Sequence, residues 1–413
     1  MKIEITKTET IKPSSPTASH LKSYKLSLLD QLAPAVYCRM LFFYPKNDEA
    51  NSDEQISQKL KESLSESLAL FYPIAGRLIN NTIIDCNDQG AQYIEARFSG
   101  LLSTFLDQPA DPAILGQFVP TEIESPESAT WPLLLVQATF FDCGGLALGA
   151  CMSHKLVDGA TMGVFMKSWA ASSNGSGQTI APVLTGASYF PQRDLAFQLP
   201  PLELKKVECV TKRCVFDKSK IVDLKAKVAS DDVPQPTRSE AATAVIWKSV
   251  IAAASPKKIV LTRTMNVRNR AEPPLPENLV GNVVAIVAAE TTERKPELSH
   301  LVTELRKGIR EFSEDKAKNL RGDVFQGIKE AGELIGRDNT TDGLFLTSFC
   351  NFDLYTVDFG WGKPIWVTIP VATHQPNVVT LIDTSGGGVE AWVTLSKPEM
   401  VTFSRMLLEF SSI

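Results

Sequence analysis

His154 and Asp158, in the stretch His154-Lys155-Leu156-Val157-Asp158-Gly159, have the residue types and spacing for proton chemistry. An imidazole of ordinary pKa, about 6.5, is largely neutral at pH 7 and can accept a proton. An alcohol, with a pKa roughly that of water near 16, is a poor nucleophile until it gives one up. A base placed to take that proton contributes on the order of 10²–10⁴-fold to a rate. A single histidine beside apolar strands is more often packed than catalytic, so its position in the chain has to decide. The apolar run from Trp131 to Ser153 reads as two buried strands joined at Asp142-Cys143-Gly144-Gly145, which delivers His154 at a strand exit. Asp158-Gly159 then opens a helix whose apolar spacing runs through Trp169. A carboxylate at a helix start caps amides and suits the helix dipole. Because the helix begins at Asp158, the two side chains need not share a face. We read His154 as the single base and Asp158 as a tether.

Other motif matches fail on context. Asp358-Phe359-Gly360 imitates a kinase metal motif, yet neither the kinase glycine-rich loop nor the His-Arg-Asp loop accompanies it. Gly386 and Gly388 imitate a dinucleotide fingerprint, but Val389–Leu395 alternates as a strand where a helix is required. There is no Gly-x-Ser-x-Gly elbow. The seven cysteines are scattered with no Cys-x-x-Cys pair, which fits free thiols in a reducing cytoplasm better than disulfides or zinc. The net charge of -5 is mild and gives no reason to expect nucleic acid or a membrane as partner. The N-terminus has no apolar segment of the secretory kind, so the sequons at Asn80, Asn174 and Asn339 are taken as chance matches.

The elements that must position His154 follow from spacing. At 413 residues, 44% hydrophobic and 22% charged, the chain has the composition of a globular protein and length for two domains. Residues 1–20 read as polar and extended, and Val36–Tyr44 as a strand. Ile56, Leu60, Leu64 and Leu68 recur every four residues behind a cap at Ser52 or Asp53, the mark of an amphipathic helix. Proline-rich sequence from Asn174 to Lys206 reads as a linker. We expect an N-terminal domain over 1–190, a crossover over 191–208 and a C-terminal domain over 209–413. The second half reads as helices at 219–228 and 241–254, strands at 259–267 and 283–289, and a charged helical region over 297–335. Strands then run to Leu395, and a short helix covers 398–410. Strands and helices mix without regular alternation, which points to α/β sandwiches with mixed sheets.

His154 to Gly159 matches an HxxxD(G) motif, and Asp358-Phe359-Gly360-Trp361-Gly362 a DFGWG motif. In this order and separation the chain resembles the plant BAHD acyltransferases, in the group that includes vinorine synthase and alcohol acetyltransferases. Weaker matches at Leu26–Gln31, Tyr72–Leu78, Asn266-Val267-Arg268, Gly281-Asn282 and Glu390–Val393 extend the resemblance over essentially the whole chain.

The resemblance implies a cytoplasmic monomer of two chloramphenicol-acetyltransferase-like domains with a solvent channel between them. It implies an acyl-CoA co-substrate, acetyl-CoA above all, and a small alcohol acceptor. An amine acceptor and a non-catalytic binding relative are the alternatives. No metal and no permanently bound cofactor are implied. By the same resemblance Asp158 and Gly159 are structural, with Asp158 paired to Arg268, while Asp358, Gly360 and Gly362 are architectural. Relatives often carry Thr-Ser-Trp before DFGWG, whose indole is a proposed oxyanion donor. Here the residues are Thr347-Ser348-Phe349, so either Thr347 or Ser348 donates instead or the donor lies elsewhere. Thr237 and Ser239, at a helix start, and Asn282 are the candidate CoA contacts.

Overall fold

The computed structural model describes residues 3–46, 52–108, 111–120, 131–194, 208–254, 257–312, 341–370 and 376–410. In chain order the first strands are β1 (Ile3–Ile11), β2 (Ser23–Lys25), β3 (Tyr37–Tyr44), β4 (Arg77–Ile79), β5 (Ile83–Asp85), β6 (Ala91–Phe98), β7 (Leu134–Phe141) and β8 (Leu146–Ser153). They are followed by β9 (Cys209–Phe216), β10 (Lys258–Asn266), β11 (Val284–Ala289), β12 (Thr341–Ser348), β13 (Trp366–Thr368), β14 (Val378–Asp383) and β15 (Val389–Ser396).

The chain forms two compact units. One comprises Met1–Glu203, Pro276–Val283 and Phe352–Ala372, and the other comprises Leu204–Leu275, Val284–Asn351 and Thr373–Ile413. A division into contiguous halves, with DFGWG in the second, is therefore corrected. Two segments of the second half pack into the first unit: β13 adds to the edge of β3, and the 276–283 segment is hydrogen-bonded to the His154 loop.

The first unit is built on a six-stranded sheet in the order β1-β6-β7-β8-β3-β13. It is mixed, since β6 and β7 run parallel while the other neighbours are antiparallel. Every residue of β7 and of β8 is buried, which explains the unbroken apolar run that precedes His154. Central strands covered on both faces lose the polar alternation of a half-exposed strand. No described helix is long and apolar enough to cross a membrane. The N-terminal residues, read only as extended, form β1 because β6 leaves an edge for them to pair with.

The helix Asp53–Leu70 starts at a capping box in which Ser52 and Gln55 serve each other's amides, and it buries Ile56, Leu60, Leu64 and Leu68. It packs on the helix Gly159–Asn174. Trp169 Nε1 of the second helix donates to Leu60 O at 3.2 Å and Ser63 Oγ at 3.1 Å, and Phe165 meets Phe71 edge-on.

The DFGWG segment closes this layer. Asp358 Oδ1 accepts the amides of Gly360 at 2.8 Å and Gly362 at 3.0 Å. Both glycines have positive φ, +103° and +106°, so a side chain at either position would be strained. The Phe359 ring lies edge-on to Trp169 and stacks on Trp361, while Ser173 and Asn174 side chains donate to the carbonyls of Phe359 and Asp358. The Asp358 carboxylate is thus occupied by the turn that places the Phe359 ring.

The second unit carries the sheet β11-β10-β12-β14-β15-β9, with β10, β12 and β14 parallel and the remaining neighbours antiparallel. Its central helix, Arg238–Ala254, is buried around most of its circumference, as its alanine-rich sequence permits. The helix Lys397–Glu409 and the helix Leu298–Glu311 pack against it. The latter buries Leu298, Leu301, Val302 and Leu305, so the charged 297–335 stretch has an apolar stripe at its start. The rest of that stretch, and residues 195–207 of the expected crossover, lie outside the described residues.

Phe359→Ala is expected to cost about 3–5 kcal/mol, the range for removing a buried aromatic. Asp358→Ala should lower the thermal midpoint less, because only turn amides lose a partner. Melting of the two purified variants beside wild type measures the order, and the reverse order would remove the architectural account of Asp358.

Candidate active site

β8 ends at Ser153, whose partner across the ladder is Tyr37 of β3. The next residue remains tied to the same neighbour, because His154 N donates to Val36 O at 2.8 Å. The chain then turns, with the amides of Leu156 and Val157 both donating to Ser153 O. Asp158 caps the following helix, with Oδ1 accepting Thr161 N at 2.8 Å. This is the strand-exit, helix-start geometry that the spacing implied. Among the described residues Nδ1 of the half-buried His154 has no hydrogen-bond partner.

The loop is pinned from below by a network that spacing did not disclose. Asn282 Nδ2 donates to His154 O at 2.6 Å and to Asp30 Oδ1 at 3.0 Å, and Asn282 N donates to the same oxygen at 2.7 Å. Asp30 Oδ2 accepts Ser27 N at 2.9 Å and Ser27 Oγ at 2.6 Å. Ser27 and Asp30 form the capping box of the short helix Leu28–Leu32. Burial pushes the Asp30 carboxyl above its ordinary pKa, against the downward pull of the Ser27 and Asn282 donors. Gly281 has φ +129°, and a Cβ there would sit 3.2 Å from Asp30 Oδ1, so glycine lets this strand of chain approach the carboxylate. Val283 N donates to Asp158 Oδ2 at 3.0 Å, and Thr161 Oγ1 donates to Gly281 O at 3.1 Å. Segment 281–283 thereby ties both ends of the His154–Asp158 loop to the 27–30 turn.

Lys155 supplies another anchor. Its side chain is buried, and Nζ donates to the carbonyls of Asp30, Gln31 and Ala33 at the end of the Leu28–Leu32 helix. Burial lowers its pKa to about 8, with the nearby Asp30 charge opposing.

The His154 imidazole is pulled both ways. Burial favours its neutral form, while the Cys38 sulfur, by charge and hydrogen bonding, and the Asp158 carboxylate favour the charged form. The balance lies upward, at about 9.

The remaining residues singled out in the sequence sit as follows. Arg268 is buried at 1% exposure in the second unit, where its backbone amide and guanidinium both meet Asn266 Oδ1. Thr347 Oγ1 accepts from Thr264 Oγ1 at 3.2 Å, and Ser348 Oγ accepts Cys350 N at 3.3 Å. Thr237 Oγ1 accepts Glu240 N, while Thr237 N is taken by the Glu240 carboxylate, itself paired with Arg306 at 2.6 Å. The first turn of that helix is therefore capped by its own side chains, and Ser239 lies against Cys350. The amide hydrogens of Asn282 serve Asp30 and the His154 carbonyl. Among the described residues no cluster of His, Cys, Asp and Glu is arranged to hold a metal ion.

Sequence reading missed Asp30, Lys155 and Cys38. The Ser27-x-x-Asp30 spacing was a legible capping-box signal. Cys38 had none, because only the β3–β8 register brings it beside the loop.

With this geometry in view, comparison with known proteins is direct. The family model described as the Transferase family matches residues 1–408. The chain is 37% identical to the epi-neemfruitin B 7-O-acetyltransferase L7AT of Melia azedarach over 97% of this chain and 96% of that protein. It is 33% identical to the (13S,14R)-1,13-dihydroxy-N-methylcanadine 13-O-acetyltransferase AT1 of Papaver somniferum, over 98% and 97% of the two chains. Among solved structures, vinorine synthase superposes with a TM-score of 0.88 at 34% identity, over 99% of this chain and 98% of that one. TRI101 of F. graminearum superposes at 0.69 with 17% identity, covering 92% and 96%, a likeness of fold alone. The chain belongs to this transferase family, the BAHD acyltransferases, and is an acyltransferase.

Asn282→Ala should depress kcat while leaving the KM for acyl-CoA near its wild-type value, and should lower the thermal midpoint. It strips a donor from the His154 carbonyl and one from a buried carboxylate, each unsatisfied group costing about 1–3 kcal/mol. Steady-state kinetics decides: a raised KM with kcat intact would restore a CoA-contact role.

Proposed function

We propose that the protein transfers an acyl group, acetyl foremost, from acyl-CoA to a hydroxyl of a small specialised metabolite, with His154 as general base. One observation carries the reading. A half-buried imidazole stands at a strand exit, its peptide group held on both sides, by Val36 through His154 N and by Asn282 through His154 O. Fixing the backbone limits where the imidazole can reach, and holding a catalytic group in place lowers the entropic part of a barrier. The O-acetyltransferase names of relatives at 33–37% identity support the acyl group and the hydroxyl acceptor.

In this mechanism the acceptor O–H gives its proton to the imidazole as its oxygen attacks the thioester carbonyl carbon. The tetrahedral oxyanion collapses, the carbon–sulfur bond breaks, and the CoA thiolate leaves and takes the proton back from the imidazolium. Thr347 and Ser348 are the candidate oxyanion donors: Thr347 Oγ1 accepts from Thr264 Oγ1 and Ser348 Oγ accepts Cys350 N, so each hydroxyl keeps its own proton to give. Asp158 is a positioning residue, with both carboxylate oxygens engaged by main-chain amides. The seven free thiols support a reducing, cytoplasmic setting.

The assay is thiol release from acetyl-CoA with and without a panel of alcohols and amines. Acceptor-dependent release that falls by about 10² or more in His154→Ala is the expected result. Release without acceptor would mean hydrolysis, and near-wild-type turnover in His154→Ala would sink the mechanism. The pH dependence follows from the raised imidazole pKa. A base acts in its deprotonated form, so kcat/KM should climb as pH rises and level off near 9, the value at which His154 loses its proton. A plateau already reached at about 6.5 would belong to an unperturbed imidazole.

A further inference from the structure

Three main-chain acceptors converge on one buried cation beside the candidate base. Lys155 is only 5% exposed, and an ammonium group has three hydrogens to give and no acceptor. Each hydrogen has a carbonyl to meet: Asp30 O at 3.2 Å, Gln31 O at 3.0 Å and Ala33 O. A neutral amine has only two hydrogens, so the full set calls for the charged form. Burial draws the pKa down to about 8, which still leaves the ammonium in the majority at neutral pH.

These contacts close a ring around the base. His154 O, the carbonyl of the peptide bond that joins His154 to Lys155, accepts Asn282 Nδ2. Asn282 also gives its main-chain amide and the same Nδ2 to Asp30 Oδ1. The carbonyl of Asp30 accepts Lys155 Nζ, which returns the ring to the peptide group it left. The other side of His154 is tied to the same stretch of chain. His154 N donates to Val36 O, three residues beyond the Ala33 carbonyl that Lys155 holds. The end of the Leu28–Leu32 helix and the entry to β3 are therefore gripped by one peptide group and one ammonium.

We infer that Lys155 is a positioning residue for acyl transfer: its ammonium, seated on the carbonyls of Asp30, Gln31 and Ala33, sets where the His154 imidazole stands and takes no part in binding acyl-CoA or acceptor. Removing the ammonium opens the ring and takes a donor from each of three carbonyls. The His154 end of the loop can then shift while Asp158 still caps its helix through Thr161 N. A displacement of about 1 Å at a catalytic group can cost on the order of 10²-fold in rate. The kinetic consequence rests on His154 being the base, whereas the movement of its ring does not.

The test compares the full-length wild type with Lys155→Met, which keeps a long unbranched side chain without donors, and Lys155→Gln, which keeps a donor amide on a shorter stem. In steady-state acetyl transfer, Lys155→Met should lose about tenfold or more in kcat, with KM for acetyl-CoA and acceptor within about twofold of wild type. Lys155→Gln should lose less. Histidine-selective ¹⁵N labelling reads the four imidazoles by NMR, with His154 assigned by its absence from His154→Ala. The His154 signals should move in Lys155→Met while the other three stay in place. A mere loss of folded protein would weaken every signal and move none. A raised KM with kcat intact, or His154 signals unmoved in the variants, would overturn the inference. Should Lys155→Met fail to fold, Lys155→Gln is read by the same two measurements. Should the wild type transfer no acetyl group at all, the imidazole signals still decide the role of Lys155 separately from the proposed reaction.

Discussion

The buried Asp30 carboxylate is the constraint on which the candidate site depends. It is wholly enclosed, and an enclosed carboxyl without partners would cost several kcal/mol. Its two oxygens instead receive Ser27 N, Ser27 Oγ, Asn282 N and Asn282 Nδ2. Two of these donors come from the turn where Asp30 itself lies and two from a segment about 250 positions later in the chain. Satisfying this one group therefore requires the 281–283 segment to return to the first unit. Once there, the segment holds the His154 carbonyl and the Asp158 carboxylate, so the loop inherits its rigidity from a group that never meets a substrate in the proposed mechanism. Lys155 adds to the same effect by holding the carbonyl end of the Leu28–Leu32 helix against the loop.

The two sequence motifs have different duties within one unit. The first presents an imidazole. The second makes a glycine turn around Asp358 and drives Phe359 and Trp361 against Tyr44 and Trp169, behind the helix that Asp158 caps. A residue type that could handle protons is thus used for shape. Asp158 is similar, since a helix amide and the Val283 amide share its carboxylate. Both oxygens of Asp158 are engaged by main-chain amides, and Asp358 Oδ1 holds the two glycine amides of its own turn.

Two opposing effects act on the His154 imidazole: burial favours its neutral form, while the Cys38 sulfur and the Asp158 carboxylate favour the charged one. The membership of the chain in the BAHD family rests on the match across residues 1–408.

The sequence by itself determined the local elements and pointed to the candidate base. The every-fourth-residue apolar stripe from Ile56 to Leu68, the largely apolar β7 and β8, and the cap at Asp158 are properties of near neighbours, so spacing reveals them. It also placed His154 at a strand exit and, through the two motifs, pointed to the family. Only the tertiary structure decided the composition of the two units, because β13 and the 276–283 segment join the first unit through contacts with residues hundreds of positions away. It likewise decided that Asn282 holds the His154 carbonyl, and that Cys38 lies beside the 154–157 loop. Those are matters of register and return contacts, which one-dimensional spacing does not encode. Loop closure over such distances is repaid only when a buried group such as Asp30 gains its partners at the end of it.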